Sequence, residues 1–284
     1  MRVGWLGLGA MGLPMARRVL QAGHELFITA HRNRSPLEEL ARAGATVCDN
    51  VADVVARAEV VCSILPADAE MEAVWGDTKV RQAFAPGAVL VEMTSGSPSV
   101  MKRIAAALAQ QGVAVLDAPV SGGTAGAAGG TLTVMAGGDP AVLARVRPVL
   151  DCVAAQIHHV GGIGSGKAVK AINQMLAGIH MLAAAEALSL AQRCGMDLAV
   201  LQRVIAASSG QSWIFDHKAQ DILKRAAKPG FRLRLMKKDL QIAVDEGRGL
   251  PLPLATLALQ WYELAARDAG DLDFSAVGRL VLGD

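Results

Sequence analysis

From residue 3 to about residue 160 the chain alternates short apolar runs with amphipathic helical stretches, and no other feature narrows its fold as much. The apolar runs cover 3–6, 26–29, 60–65, 88–92, 113–117, 131–136 and 157–160, and helical periodicity covers 11–22, 37–43, 51–58, 100–110 and 141–150. A helix after each strand returns the chain to the edge it started from, so successive strands align in parallel with helices on both faces of one sheet. After Gly161-Gly162-Ile163-Gly164-Ser165-Gly166 the pattern changes. Helical repeats run over 167–193, 198–207, 213–225, 235–247 and 254–266, with no strand-like run among them. The expectation is an α/β doubly wound parallel sheet over 1–162, then an all-α domain over 163–284 that begins with a long interdomain helix.

The first strand runs directly into Gly7-Leu8-Gly9-Ala10-Met11-Gly12, and a helix follows. That order suits a dinucleotide pyrophosphate. The first glycine makes the turn, the second admits the phosphates to the backbone, and the third lets the helix pack closely with its N–H groups facing the anion. The motif alone is weak; its strand-turn-helix setting gives it weight. Gly7, Leu8, Gly9, Ala10, Met11 and Gly12 are therefore assigned to the cofactor, and the N-terminal fold to the Rossmann type.

Composition removes other classes of function. Twenty-eight Lys plus Arg stand against 26 Asp plus Glu, a formal net charge of +2, and no basic block tracks a phosphate backbone; nucleic acid is not expected as a partner. Cys48, Cys62, Cys152 and Cys194 are scattered without a Cys-x-x-Cys or Cys/His cluster, so neither a metal site nor a disulfide framework is expected, and the thiols suit a cytoplasmic protein. Glycines interrupt the apolar N-terminus, unlike a signal core, and the apolar stretch 175–191 carries His180 and Glu186. It reads as a buried helix, with no membrane partner. The helical half is rich in Ala and Leu in a chain that is 52% hydrophobic, so a homodimer or homotetramer through that half is expected.

Three further segments speak to chemistry. The second strand ends in Thr29-Ala30-His31-Arg32-Asn33-Arg34-Ser35, with no acid before Glu38. An NAD site usually places an acid there for the ribose hydroxyls, whereas Arg32, aided by Asn33 or Arg34, can meet a 2′-phosphate; His31, Arg32 and Arg34 are assigned to the cofactor, and NADP is expected over NAD. Asp117-Ala118-Pro119-Val120-Ser121-Gly122-Gly123 follows another strand. Its hydroxyl and small residues leave backbone N–H groups accessible to a substrate carboxylate at Ser121, Gly122 and Gly123. Finally, Lys170 and Asn173 share one face of the helix that opens at Gly164-Ser165-Gly166. Taken alone, Lys170 reads as a snorkelling surface lysine more readily than as a catalyst.

Four motifs occur in order: Gly7 to Ala16, Asp117 to Gly123, Gly166-x-x-x-Lys170-x-x-Asn173, and Lys238-Asp239-Leu240. Spanning essentially the whole chain, they resemble the β-hydroxyacid dehydrogenases, a family that includes 3-hydroxyisobutyrate dehydrogenase, tartronate semialdehyde reductase and glyoxylate/succinic semialdehyde reductases. The resemblance implies that Lys170 is the catalytic acid/base and that Asn173, with Ser121, Gly122 and Gly123, holds the substrate and fixes the geometry of proton transfer. It also implies that Leu65, Pro66 and Ser95 touch the cofactor and that Lys238 lies against cofactor or substrate. The chain departs from the family pattern at Gln174, where a second Asn is common, and at Glu92-Met93-Thr94-Ser95, where Asp-x-Ser-Thr is common. Ala30-His31-Arg32 likewise replaces an Asn-Arg pair. The implied function is NADP(H)-dependent hydride transfer between the nicotinamide and a short 3-hydroxyacid or semialdehyde bearing a carboxylate. An imine reductase-like enzyme and a non-catalytic NADP-binding sensor or interaction module are the alternatives on the same scaffold.

Overall fold

The apolar runs of the N-terminal part assemble into one nine-stranded sheet. Its strands are β1 (Arg2–Leu6), β2 (Glu25–Ile28), β3 (Thr46–Val47), β4 (Val60–Ser63), β5 (Val89–Glu92), β6 (Ala114–Asp117), β7 (Val120–Ser121), β8 (Leu132–Gly137) and β9 (Ala154–Gly161). The computed structural model describes residues 1–30, 33–224 and 229–283. Their contacts divide the chain into two units, Met1–Lys170 and Ala171–Asp284.

The strand order is β3-β2-β1-β4-β5-β6-β8-β7, with β9 on β8. From β3 to β6 every pairing is parallel. Beyond β6 the all-parallel expectation fails, because β8 runs antiparallel to both β6 and β7. The link 122–131 explains this: a parallel crossover needs about a dozen residues or more, and this segment provides only the short helix Gly123–Gly129 and a turn. β9 is parallel to β8 again. The two-residue strands β3 and β7 are additions to the sequence expectation; a run of two carries no period to read.

The helices of this unit are α1 (Gly12–Gln21), α2 (Ser35–Arg42), α3 (Val51–Arg57), α4 (Asp68–Gly76), α5 (Thr78–Gln82), α6 (Pro98–Ala109), α7 (Gly123–Gly129) and α8 (Pro140–Leu150). Side chains alternate across the strands, so Val3, Trp5, Val89 and Val91 enter one core while Leu6, Leu90 and Val115 enter the other. β4 and β5 are buried at every position, as strands covered on both faces must be. Helix starts are set locally: Asp139 accepts from the Ala141 N–H ahead of Pro140, and Ser97 accepts from the Ser99 N–H ahead of Pro98.

The second unit is helical. α9 (Ser165–Arg193) begins in the first unit and continues into the second, followed by α10 (Leu198–Ala206), α11 (Trp213–Leu223), α12 (Leu233–Glu246), α13 (Pro253–Ala269), a 3-10 turn (Phe274–Val277) and α14 (Gly278–Leu282). By length and composition α9 is the one helix among the described residues that could cross a membrane. In the second unit, however, its Met181, Ala185 and Leu188 are packed into a core with Phe215, Leu240, Leu259 and Tyr262.

Asp273 anchors one end of this unit. It accepts from the N–H groups of Gly230, Phe231 and Ser275 and pairs with Lys218. Burial alone would raise its pKa, but the Ser275 amide, the Lys218 charge and the Gly230 amide together hold it below the ordinary carboxylate value. Lys218, half-buried and bonded to both Asp221 and Asp273, is raised instead: the two carboxylates overcome the effect of its partial burial.

Candidate active site

Register builds the site edge. The last residues of four adjacent parallel strands, Leu6, Ser63, Glu92 and Asp117, stand opposite one another as successive pairs. Everything that follows them opens at the carboxyl edge of the sheet, where open parallel sheets bind ligands.

After Leu6, the turn at 7–12 is as the sequence suggests. Gly7 has a φ of 91°, and a Cβ there would strike the Ile64 carbonyl. A Cβ on Gly12 would collide with the Gly7 carbonyl oxygen. At Gly9 the space is open, with nothing within 4 Å of a Cβ. Turn and helix therefore pack tightly at their ends and leave a cradle in the middle, followed by α1 with no acid in its first turn. This arrangement fits a pyrophosphate on backbone N–H groups.

His31 and Arg32 lie outside the described residues. Beyond them, Asn33 accepts from the Ser35 N–H at 3.1 Å, which uses its side chain at the start of α2, and Arg34 is exposed. Glu38, the first acid after β2, pairs with Arg42 one turn along α2 at 3.2 Å.

Below the next two turns lies a buried charged network that the sequence reading did not assign. Glu92 is fully buried; its Oε2 accepts from Trp75 Nε1 at 3.0 Å and from the Ser63 hydroxyl, and its Oε1 accepts from the Thr94 N–H at 2.7 Å. Lys167, also fully buried, donates Nζ to the Thr94 carbonyl oxygen at 2.6 Å and stands 3.8 Å from Glu92 Oε1. Thr94 Oγ1 in turn accepts from the Leu65 N–H at 2.8 Å. The turns carrying Leu65, Pro66 and Ser95 are thus held from beneath. The hydroxyl of Thr94 is spent on structure, and Ser95 beside it is half-buried. A Glu ending the run Val89-Leu90-Val91 and a Lys inside a glycine-rich helix start were the available signals, because a buried charge requires a partner.

Asp117 ties the start of α9 to β6. Its Oδ1 accepts from the Gly164 N–H and its Oδ2 from the Lys167 N–H, both at 2.8 Å. Burial pushes its carboxyl above the ordinary value, against those two amides and the Lys167 charge. Lys170, three residues on, is buried. Near Asp117, Gly122 and Gly123 both have positive φ, 129° and 63°, so side chains are disfavoured at the turn after Ser121. That turn is a short strand running into α7 and not an open glycine loop.

In the helical unit, Asn173 donates Nδ2 to Gln174 Oε1 at 3.0 Å, and Gln174 donates Nε2 to Asp239 Oδ2 at 2.8 Å. Lys238 Nζ is 3.1 Å from Asp239 Oδ1. Among the described residues no group of three or more His, Cys, Asp and Glu could hold a metal ion.

A glycine cradle at the carboxyl edge of a Rossmann sheet, joined to a helical unit, defines an NAD(P)-dependent oxidoreductase. The chain belongs to the β-hydroxyacid dehydrogenase family. Residues 2–161 match the NAD-binding domain of 6-phosphogluconate dehydrogenase, and residues 164–281 match the NAD-binding domain of NADP-dependent 3-hydroxyisobutyrate dehydrogenase. The 2-(hydroxymethyl)glutarate dehydrogenase of Eubacterium barkeri is 38% identical over 97% of this chain and 93% of its own length. The NAD-dependent L-serine dehydrogenase of Pseudomonas aeruginosa is 35% identical over 98% and 97%. A structure of the Mycobacterium tuberculosis 3-hydroxyisobutyrate dehydrogenase with L-serine superimposes with a TM-score of 0.92 at 34% identity, covering 99% of each chain. The protein is accordingly a dehydrogenase that acts on the CH–OH group of small hydroxyacids with NAD(P).

Proposed function

We propose that the chain is an NADP-preferring enzyme for short 3-hydroxyacids and their semialdehydes, with Lys170 as general acid/base. The observation that carries this reading is the anchoring of α9: Asp117 and the Lys167–Thr94 bond fix its first turn to the ends of β6 and β5, a few residues before Lys170. A proton donor that must meet a developing alkoxide has to be held within hydrogen-bond reach, and a rigid helix start does that better than a loop. The bound nicotinamide supplies or accepts the hydride. In reduction, the Lys170 ammonium donates to the carbonyl oxygen and gives up its proton as the alkoxide forms; in oxidation, Lys170 must first be neutral, so an alkaline optimum is expected in that direction.

The backbone N–H groups at Ser121, Gly122 and Gly123 hold the carboxylate, and Asn173 positions the substrate beside Lys170. Gly7 to Gly12 hold the pyrophosphate, Leu65, Pro66 and Ser95 touch the cofactor, Lys238 lies against cofactor or substrate, and His31, Arg32 and Arg34 meet the adenosine phosphate. The absence of a competing acid supports NADP, since Glu38 is engaged by Arg42. In this reading residues 1–162 bind the dinucleotide and 163–284 serve substrate and assembly. Exposed Ile172, Leu176, Leu190, Val204, Leu254 and Leu257 support a homodimer or homotetramer through the helical unit. The free thiols of buried Cys48 and Cys62 suit a reducing, cytoplasmic setting.

The deciding experiment follows NADPH consumption with a panel of short semialdehydes for the wild type and Lys170→Ala. Turnover falling by about 10²-fold or more with NADPH binding intact is the expected result. A variant that keeps a tenth of wild-type turnover overturns the assignment.

A further inference from the structure

Three side chains of the helical unit form a relay whose direction is fixed at one end. Asp239 is almost fully buried; its Oδ2 accepts from Gln174 Nε2 at 2.8 Å and its Oδ1 lies 3.1 Å from Lys238 Nζ. Gln174, also buried, turns its Oε1 to Asn173 Nδ2 at 3.0 Å. A primary amide has a donor edge and an acceptor edge of nearly equal size, so an isolated Asn can present either one to a ligand. Here the choice is forced. An ionised carboxylate only accepts, so Gln174 must give its NH2 to Asp239 and its carbonyl to Asn173. Asn173 must then spend an N–H on Gln174, and its carbonyl oxygen becomes the edge directed away from the relay.

We propose that Asp239 is a positioning residue that makes Asn173 a hydrogen-bond acceptor, and that this acceptor selects substrates with a hydroxyl on the carbon next to the reacting one. The proposal rests on the reading of Asn173 as a substrate contact. Lys170 and Asn173 are one helical turn apart on α9, so the helix offers a donor for the reacting oxygen and, beside it, an acceptor. A neighbouring hydroxyl has a proton for Asn173 Oδ1, whereas a methylene has none and leaves that oxygen without a partner.

The test compares kcat/KM for 2-hydroxy-3-oxopropanoate and 3-oxopropanoate at saturating NADPH. The wild type is expected to favour the hydroxylated compound at least tenfold. Asp239→Asn lets Gln174 and Asn173 turn over; the preference should collapse by about tenfold through the hydroxylated substrate, with 3-oxopropanoate changed less than threefold. Asn173→Asp combined with Asp239→Asn moves the carboxylate to the outer end, where it accepts whichever way Gln174 turns, and should restore part of the preference. Gln174→Met cuts the relay without touching the Asp239–Lys238 pair; it gives a second route to the same loss if Asp239→Asn folds poorly. Equal losses on both substrates in these variants, or no loss of preference, overturn the relay. If Lys170→Ala keeps a tenth of wild-type turnover, or neither compound consumes NADPH, the proposed site and substrate class fall and take the relay with them. If Lys170→Ala is inactive and the preference survives in Asp239→Asn, the relay alone is wrong.

Discussion

Lys167 donates its ammonium to the carbonyl oxygen of Thr94 at 2.6 Å, and neither residue is open to solvent. With Glu92 it forms a buried charged pair at the point where β5, the turn after it and the first turn of α9 meet. Removing one partner of such a pair strands the other charge, at a cost of about 3–5 kcal/mol, whereas removing both is far less damaging. Urea denaturation of Glu92→Gln, Lys167→Met and the double variant should show each single change costing stability on that order. The double variant should lose much less stability than the sum of the two single losses; simple additivity would show that the two charges do not support each other.

The three turn glycines should separate folding from cofactor binding. Gly12→Ala drives a methyl into the Gly7 carbonyl and should cost about 1–3 kcal/mol in stability along with NADPH affinity. Gly9→Ala meets nothing in the protein, so its melting temperature should stay near that of the wild type while the NADPH Kd rises at least tenfold. A Gly9→Ala protein that binds NADPH normally would place the pyrophosphate elsewhere.

Cofactor choice is expected to follow charge at the end of β2. Charge-assisted hydrogen bonds are worth about 1.5–3 kcal/mol, so Arg32→Glu should lower the ratio of kcat/KM for NADPH over NADH by about 10- to 100-fold. Steady-state kinetics with both cofactors measures this. An unchanged ratio would remove Arg32 from phosphate recognition.

Stability should fall on both sides of neutrality through the Lys218–Asp273 anchor. The Asp273 carboxyl titrates below its ordinary value in the fold, so its contribution is complete above about pH 4 and is lost as pH falls through the folded pKa. Lys218 titrates above its ordinary value, so its contribution is complete below about pH 10 and is lost as pH rises through the folded pKa. Asp273→Asn should flatten the acid limb of the unfolding free energy, and Lys218→Met the alkaline limb. Unaltered limbs in both variants would contradict the pairing.

Much of this protein is local and was therefore legible along the chain. The strand-turn-helix at 1–21 follows from apolar alternation, three glycines and an amphipathic repeat, all within reach of one another. The switch from strand-helix alternation to helix alone after Gly166 is visible for the same reason, and the motifs at Ser121 and Lys170 are contiguous runs. What depended on pairing distant segments was not legible. The antiparallel turn of the sheet at β8 was decided by a link too short to cross over, and β3 and β7 exist only because a neighbouring strand supplies their hydrogen bonds. Glu92 and Lys167 lie 75 residues apart, and Gln174 and Asp239 lie 65 apart. A chain read in order shows each as a charge or amide in need of a partner. Which partner it finds is set by where β5, α9 and α12 pack, and burial is what turns those meetings into fixed hydrogen bonds.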